Sequence, residues 1–208
     1  MSVQAVLLAG GQGRRLGGED KALLLREGRP LLLHWREALE QQRIPCAVVG
    51  PDHLRQTLGP EIPLTREEPA WGGPAAAVRA GALALGGHHM WTLLLAVDVV
   101  APPPLLEWLL RELEELNQSS GPEEPKALIP RDSAGRLQYL GSAVAASTLR
   151  RRATDWEAAQ IEGRPLRVLL EGLNAVHPAM PEGVGEDVDT PEDASRYRVS
   201  AMEKPPAR

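Results

Sequence analysis

Three short apolar runs constrain this chain most: "VQAVLLAG" from residue 3, "PCAVVG" from residue 45 and "WTLLLAVDVV" from residue 91. Each is apolar at nearly every position rather than every second one, the pattern of a strand covered on both faces. Between and after them come stretches with helical spacing. "RPLLLHWREALEQQ" repeats its apolar residues at Leu31, Leu32, Trp35, Ala38 and Leu39, and "GPAAAVRAGALALG" carries Pro74 in its first turn and glycine past its end. "PPPLLEWLLRELEEL" is a third, strongly amphipathic helix, and "EIPLT" reads as a further short strand. Strand and helix in alternation predict a mostly parallel α/β sheet with helices on both faces.

The rhythm changes after a polar, turn-rich loop at 117–125. "KALIP" and "RLQYLGSAVAA" are strand-like and are expected to pair as a hairpin across "RDSAG". A helical stretch at 147–160 follows, then "PLRVLLEGL", "NAVHPAM" and "TPEDASRY". The 208 residues fit one domain, 1–199, with halves at 1–116 and 126–199 and a flexible tail at 200–208.

With a formal net charge of −5, a general nucleic-acid or membrane surface is not expected. The single Cys46 excludes an internal disulfide, and no Cys/His spacing matches a zinc site. The start lacks the pattern of a signal peptide, and the longest apolar run is too short to span a bilayer, so a cytoplasmic protein is expected.

Ligands of open α/β sheets bind where strands end and the chain leaves for a helix. The first strand leaves through "LAGGQGRRLGGEDK", residues 8–21. Gly10, Gly11 and Gly13 let the backbone approach a ligand and turn N–H groups toward an anion, and Arg14, Arg15 and Lys21 add positive charge. The guest this predicts is a run of phosphates. The dinucleotide fingerprint fails because its third glycine is Leu16, and the ATPase loop fails because Lys21 stands between Asp20 and Ala22. Asp98 ends the most apolar strand at the same sheet edge, where a charge needs a cation. Asp187 and Asp189 lie two apart, on one side of an extended segment, while Asp189 or Thr190 can cap a helix opened by Pro191. His88 and His89 read as solvated loop residues, and Trp35 and Trp108 as core.

The loop resembles the signature L-A-G-G-x-x-x-R-M-G-x-D-K of nucleotidyltransferases, and within these the molybdenum cofactor guanylyltransferase family. The likeness rests on Leu8, Ala9, Gly10, Gly11, Arg15 and Asp20-Lys21, and extends to "GGPAAAVRAG", "LLLAVDVV", "RPLRVLLEGL" and "EDVDTPEDA". It implies a three-layer α/β/α, Rossmann-like fold with a β-hairpin insertion in the C-terminal half. It also implies transfer of GMP from Mg-GTP to the terminal phosphate of molybdopterin-bound molybdenum cofactor, with release of pyrophosphate. Arg15, Lys21 and Asp98 would then be catalytic. Leu8, Ala9, Gly10, Gly11, Gly13, Lys21, Gly73, Pro74 and Asp98 would bind the nucleotide, and Asp98, Asp187 and Asp189 would serve Mg2+. Expected partners are GTP, the molybdenum cofactor and the proteins that donate and accept it.

The chain departs from the family pattern at "DVVAPPP", where the proline comes late, and at "TREEPAW", which offers Glu67 or Glu68 in place of aspartate. Gly50 stands where asparagine is usual, and "GRLQYLGSAV" lacks a proline. A CTP-dependent cytidylyltransferase, another small-acceptor transferase and a non-catalytic nucleotide-binding module therefore stay open.

Overall fold

All six residues of β1 (Val3–Leu8) are buried, as an uninterrupted apolar strand requires. The computed structural model describes residues 1–11, 16, 18–118 and 124–201. After β1 come β2 (Leu25–Arg26), β3 (Arg29–Pro30), α1 (Leu31–Gln41), β4 (Cys46–Val49), α2 (Arg55–Leu58), β5 (Leu64–Thr65), α3 (Gly73–Ala84), β6 (Trp91–Ala96) and α4 (Pro102–Gln118). The second half holds β7 (Ala127–Leu128), β8 (Ser142–Ala145), α5 (Ala146–Asp155), α6 (Ala158–Ile161), α7 (Leu166–Leu170), β9 (Ala175–Val176), α8 (Pro191–Arg196) and β10 (Val199–Ser200). Among the described residues no helix is long and apolar enough to cross a membrane.

The main sheet has the order β5-β4-β1-β6-β8-β7-β9. β1 pairs in parallel with β4 and β6, β4 with β5, and β7 with β9. β8 runs antiparallel to both its neighbours, β6 and β7. The sheet is therefore mostly parallel, and the fold is the expected α/β class. The alternation of side chains along a strand divides the core in two. Val3, Ala5 and Leu7 of β1 join Trp91, Leu93 and Leu95 of β6 in one cluster, covered by α1 and α4 through Trp35, Leu39, Leu105 and Trp108. Val6 and Leu8 join Ala47, Val49 and Leu94 in the other, covered by α3, α5 and α7. Gly81 lets α3 lie close to the sheet: a Cβ there would stand 2.5 Å from Val6 Cγ1 and 2.9 Å from Val49 Cγ2.

The expected hairpin is present as β7 and β8, in the register Ala127↔Val144 and Leu128↔Ala143. Its second strand is shorter than the sequence suggests, because the chain before Ser142 turns at Gly141, whose φ is +94°. The helix expected at 147–160 is two helices, parted where Trp156 and Glu157 take extended backbone. A three-stranded sheet, β10-β2-β3, was not legible, since two-residue strands carry no alternation. It places Ser200, read as the start of a tail, opposite Leu25; residues 202–208 lie outside the described residues. His88 is exposed as expected, whereas His89 is half-buried with its Nδ1 enclosed and unpartnered.

Candidate active site

The carboxyl end of β1 is held from both sides. The Ala9 N–H donates to Val49 O at 2.8 Å, and the Val97 N–H donates to Leu8 O at 2.9 Å. Ala9's amide is thus committed to the sheet and is not available to a ligand. Gly10 lies against Gly50, with 3.8 Å from its would-be Cβ to the Gly50 Cα. Here the sheet edge opens into a cavity of about 490 Å³. Leu8, Ala9, Gly10, Gly11, Lys21, Gly73, Pro74, Asp98 and Asp189 all line it, and Val49, Glu67, Trp71 and Leu140 are among the other residues of the wall. Gly13 and Arg15, with Arg14, lie outside the described residues.

Lys21 opens a short 3-10 helix, Lys21–Leu23, capped by Asp20, whose Oδ1 accepts from the Ala22 N–H at 3.0 Å. Ala22 is fully buried and fixes that turn to the core. Asp20 Oδ2 also meets His53 Nε2 at 2.7 Å, so the aspartate beside the lysine is spent on shaping the loop. The Lys21 ammonium donates to Asp98 Oδ2 at 2.9 Å and also to Asp189. Burial disfavours its charge, but the attraction of Asp98 and the bonds to Asp189 and Asp98 prevail, and its pKa is raised.

The acids meet because the segment before α8 lies antiparallel against the end of β6. Val99 bridges Asp187, the Val188 N–H donates to Asp98 O at 3.1 Å, and the Val100 N–H donates to Glu186 O at 3.0 Å. Val188 points into the core, fully buried, so Asp187 and Asp189 face the other way. One oxygen each from Asp98, Asp187 and Asp189 lies within 4.8 Å of the others. Desolvation, then the like charges of Asp98 and Asp189, push the Asp187 carboxyl up to about 6, with Lys21 pulling the other way. As a residue Asp187 is exposed, so solvent screens part of this. The cap of α8 falls to Thr190, which forms a capping box with Asp193, and Asp189's carboxylate accepts from Lys21. Cys46 is no nucleophile here, because burial pushes its thiol up to about 11.

Trp71 is a lining residue that the sequence did not single out, as are the apolar Val49, Ala77, Ala96, Val97 and Leu140. The signal for Trp71 was a tryptophan in a Gly/Pro-rich turn just before a helix, and it is 51% exposed. Trp35 and Trp108, read as core, are 0% and 4% exposed.

A mostly parallel sheet that ends in a glycine turn, a lysine and a cluster of acids around one cavity has the strand-end opening at which α/β proteins take their ligands. The chain belongs to the MobA-like NTP transferase domain family, whose model matches residues 5–176. Over 153 residues it is 36% identical to a probable molybdenum cofactor guanylyltransferase of Synechococcus elongatus, covering 68% of this chain and 71% of that one. It is 28% identical to the molybdenum cofactor guanylyltransferase of Pseudomonas aeruginosa across 93% of each. Among solved structures, the molybdopterin-guanine dinucleotide biosynthesis protein A of Archaeoglobus fulgidus matches with a TM-score of 0.65 and 23% identity, over 93% of this chain and 96% of that one. The chain is a MobA-like NTP transferase.

Proposed function

We propose that this transferase moves GMP from GTP to the terminal phosphate of molybdopterin-bound molybdenum cofactor, releasing pyrophosphate. The observation that carries this reading is the convergence of Gly10, Gly11, Lys21 and Asp98 on one 490 Å³ cavity. The names of the relatives support the choice of nucleotide and acceptor.

The acceptor phosphate oxygen attacks the α-phosphorus of GTP; a new P–O bond forms as the bond to the β-phosphate bridge breaks, and pyrophosphate leaves with that electron pair. The attacking phosphate is already ionised, so no general base is required. Positioning and charge neutralisation carry such a step. The amides of Gly10 and Gly11 hold phosphate oxygens. Lys21 stands at the cavity wall, where it exchanges its carboxylate partners for phosphate oxygens and neutralises the charge that builds on the leaving pyrophosphate. Arg15 is assigned a second cation of the same loop.

Ligands of an octahedral magnesium ion at about 2.1 Å stand roughly 3–4 Å apart, and three carboxylate oxygens within 4.8 Å reach that spacing with small side-chain movements. Asp98, Asp187 and Asp189 are the residues that would hold Mg2+, which would supply charge neutralisation and alignment of phosphate oxygens. Guanine is assigned to the Gly73–Pro74 turn. The Glu67 carboxylate, in the same wall, can accept from the two donors that guanine offers on its N1 and N2 edge. The reaction is placed in the cytoplasm, where nucleoside triphosphates are supplied.

Pyrophosphate release with each of the four triphosphates, with and without molybdopterin, tests the proposal. Release from GTP, and only with the acceptor, is expected. Release from CTP alone would move the assignment to a cytidylyltransferase, and none under any condition would make the chain a binding module.

A further inference from the structure

The cavity has one aromatic wall, and nothing so far assigns it a task. Of the five tryptophans, Trp35, Trp91 and Trp108 are buried and Trp156 is half-buried, while Trp71 is 51% exposed at the cavity mouth. It is also held in an unusual way. Its φ is +68°, a left-handed backbone that bulky residues rarely adopt. Its N–H donates to Glu67 Oε1 at 3.0 Å, and the Arg66 guanidinium carbon lies 5.2 Å from its ring centroid. One indole face is therefore engaged by a cation. A large apolar ring fixed this way at the mouth of a ligand cavity, instead of turned into the core, suits a planar partner on its remaining face.

Sheet order says which end of the ligand this is. The loop carrying Glu67 and Trp71 leaves β5, whereas Asp98 follows β6, and β5 and β6 are separated by β4 and β1. Three strand spacings are about 14 Å, so the indole's loop and the acid cluster start from opposite ends of an elongated cleft. Phosphates belong with Lys21 and the acids, and the far end receives the heterocycle. The geometry points to Trp71 as the base-stacking residue of the nucleotide site, with Arg66 backing the indole and Glu67 fixing its backbone. This rests on the nucleotide reading above and adds to it a residue and a mode of recognition: a purine, having the larger π-face, gains more from the contact than a pyrimidine.

Calorimetric titration of the wild type, Trp71→Ala and Trp71→Phe with Mg-GTP and with magnesium tripolyphosphate tests this, alongside acrylamide quenching of tryptophan fluorescence. Loss of a base–aromatic stack weakens binding by about 5- to 150-fold. Trp71→Ala should lose that much for GTP and nothing for tripolyphosphate. Trp71→Phe should recover most of the loss, and GTP should shield the exposed tryptophan of the wild type from acrylamide while tripolyphosphate does not. Unchanged GTP affinity in Trp71→Ala, an equal loss for tripolyphosphate, or shielding that appears only with the molybdopterin acceptor would each overturn the assignment. A wild type that binds tripolyphosphate but no nucleotide would refute the nucleotide reading itself, and is told apart before any variant is made.

Discussion

Replacing Lys21 with methionine keeps most of the side-chain stem and removes the charge that now separates Asp98 from Asp189. At the 2.9 Å separation from Asp98, the gross attraction is about 6 kcal/mol at an effective dielectric of ~20 and about 1.4 kcal/mol in water. The two side chains are 18% and 20% exposed, so the pair lies between a surface ion pair and a buried one. Net loss on removing the ammonium is therefore about 1–3 kcal/mol. In a chain this long that lowers the thermal midpoint by roughly 2–12 °C. The same substitution takes the Lys21 ammonium away from three neighbouring carboxylates, which strengthens their hold on Mg2+. Differential scanning calorimetry at neutral pH, without metal and with millimolar Mg2+, reads both effects. The variant should melt lower without metal and gain more from Mg2+ than the wild type does, since a ligand that binds only the folded state raises its midpoint. Equal midpoints without metal, or equal gains with it, would refute the view that Lys21 holds the acid cluster in check.

Asp98→Asn should cost about two to three powers of ten in turnover and blunt the dependence on Mg2+, read from pyrophosphate release; near-normal turnover would remove Asp98 from the chemistry. Asp187 is held above the value it has in the unfolded chain, so the folded state binds its proton more readily. Its contribution favours folding at low pH and is lost as pH rises through about 6. Asp187→Asn should therefore raise metal-free stability above that point and change it little below about 4, and metal binding to the wild type should weaken as pH falls below about 6. Gly81→Ala gains about 1 kcal/mol of helix propensity but forces a Cβ to within 2.5 Å of Val6 Cγ1, an overpacking that costs about 1–3 kcal/mol. Urea denaturation should show a net loss of about 1 kcal/mol, and a more stable variant would mean that the sheet and α3 separate more easily than their packing implies.

Long periodic elements were legible and short ones were not. β1, β4, β6, α1, α3 and α4 follow from runs such as "VQAVLLAG" and "PPPLLEWLLRELEEL", because burial on two faces or on one stripe leaves its period in the sequence. β2, β3 and β10 have two residues each, too few to show a period, and β10 reaches β2 only through a contact distant in the chain, Ser200 with Leu25. The site divides in the same way. Glycines after a strand announce a close backbone approach, and an aspartate ending an apolar strand announces a cation. That Lys21 would meet Asp98 and Asp189 depends on the antiparallel laying of residues 186–189 along the end of β6, a tertiary contact with no local period. Ala9's amide shows the converse. Its motif suggests an anion donor, and the pairing with Val49 O takes it away.

In the proposed site the glycine turn and Lys21 grip the triphosphate at the end of β1, across from the acid cluster. A crystal structure with Mg-GTP tests it directly. Phosphate oxygens are expected on the Gly10 and Gly11 amides, with the Lys21 ammonium moved from Asp98 onto phosphate and the base against the Glu67–Trp71 wall. A triphosphate bound elsewhere, or Lys21 still paired with both aspartates beside a bound nucleotide, would contradict it.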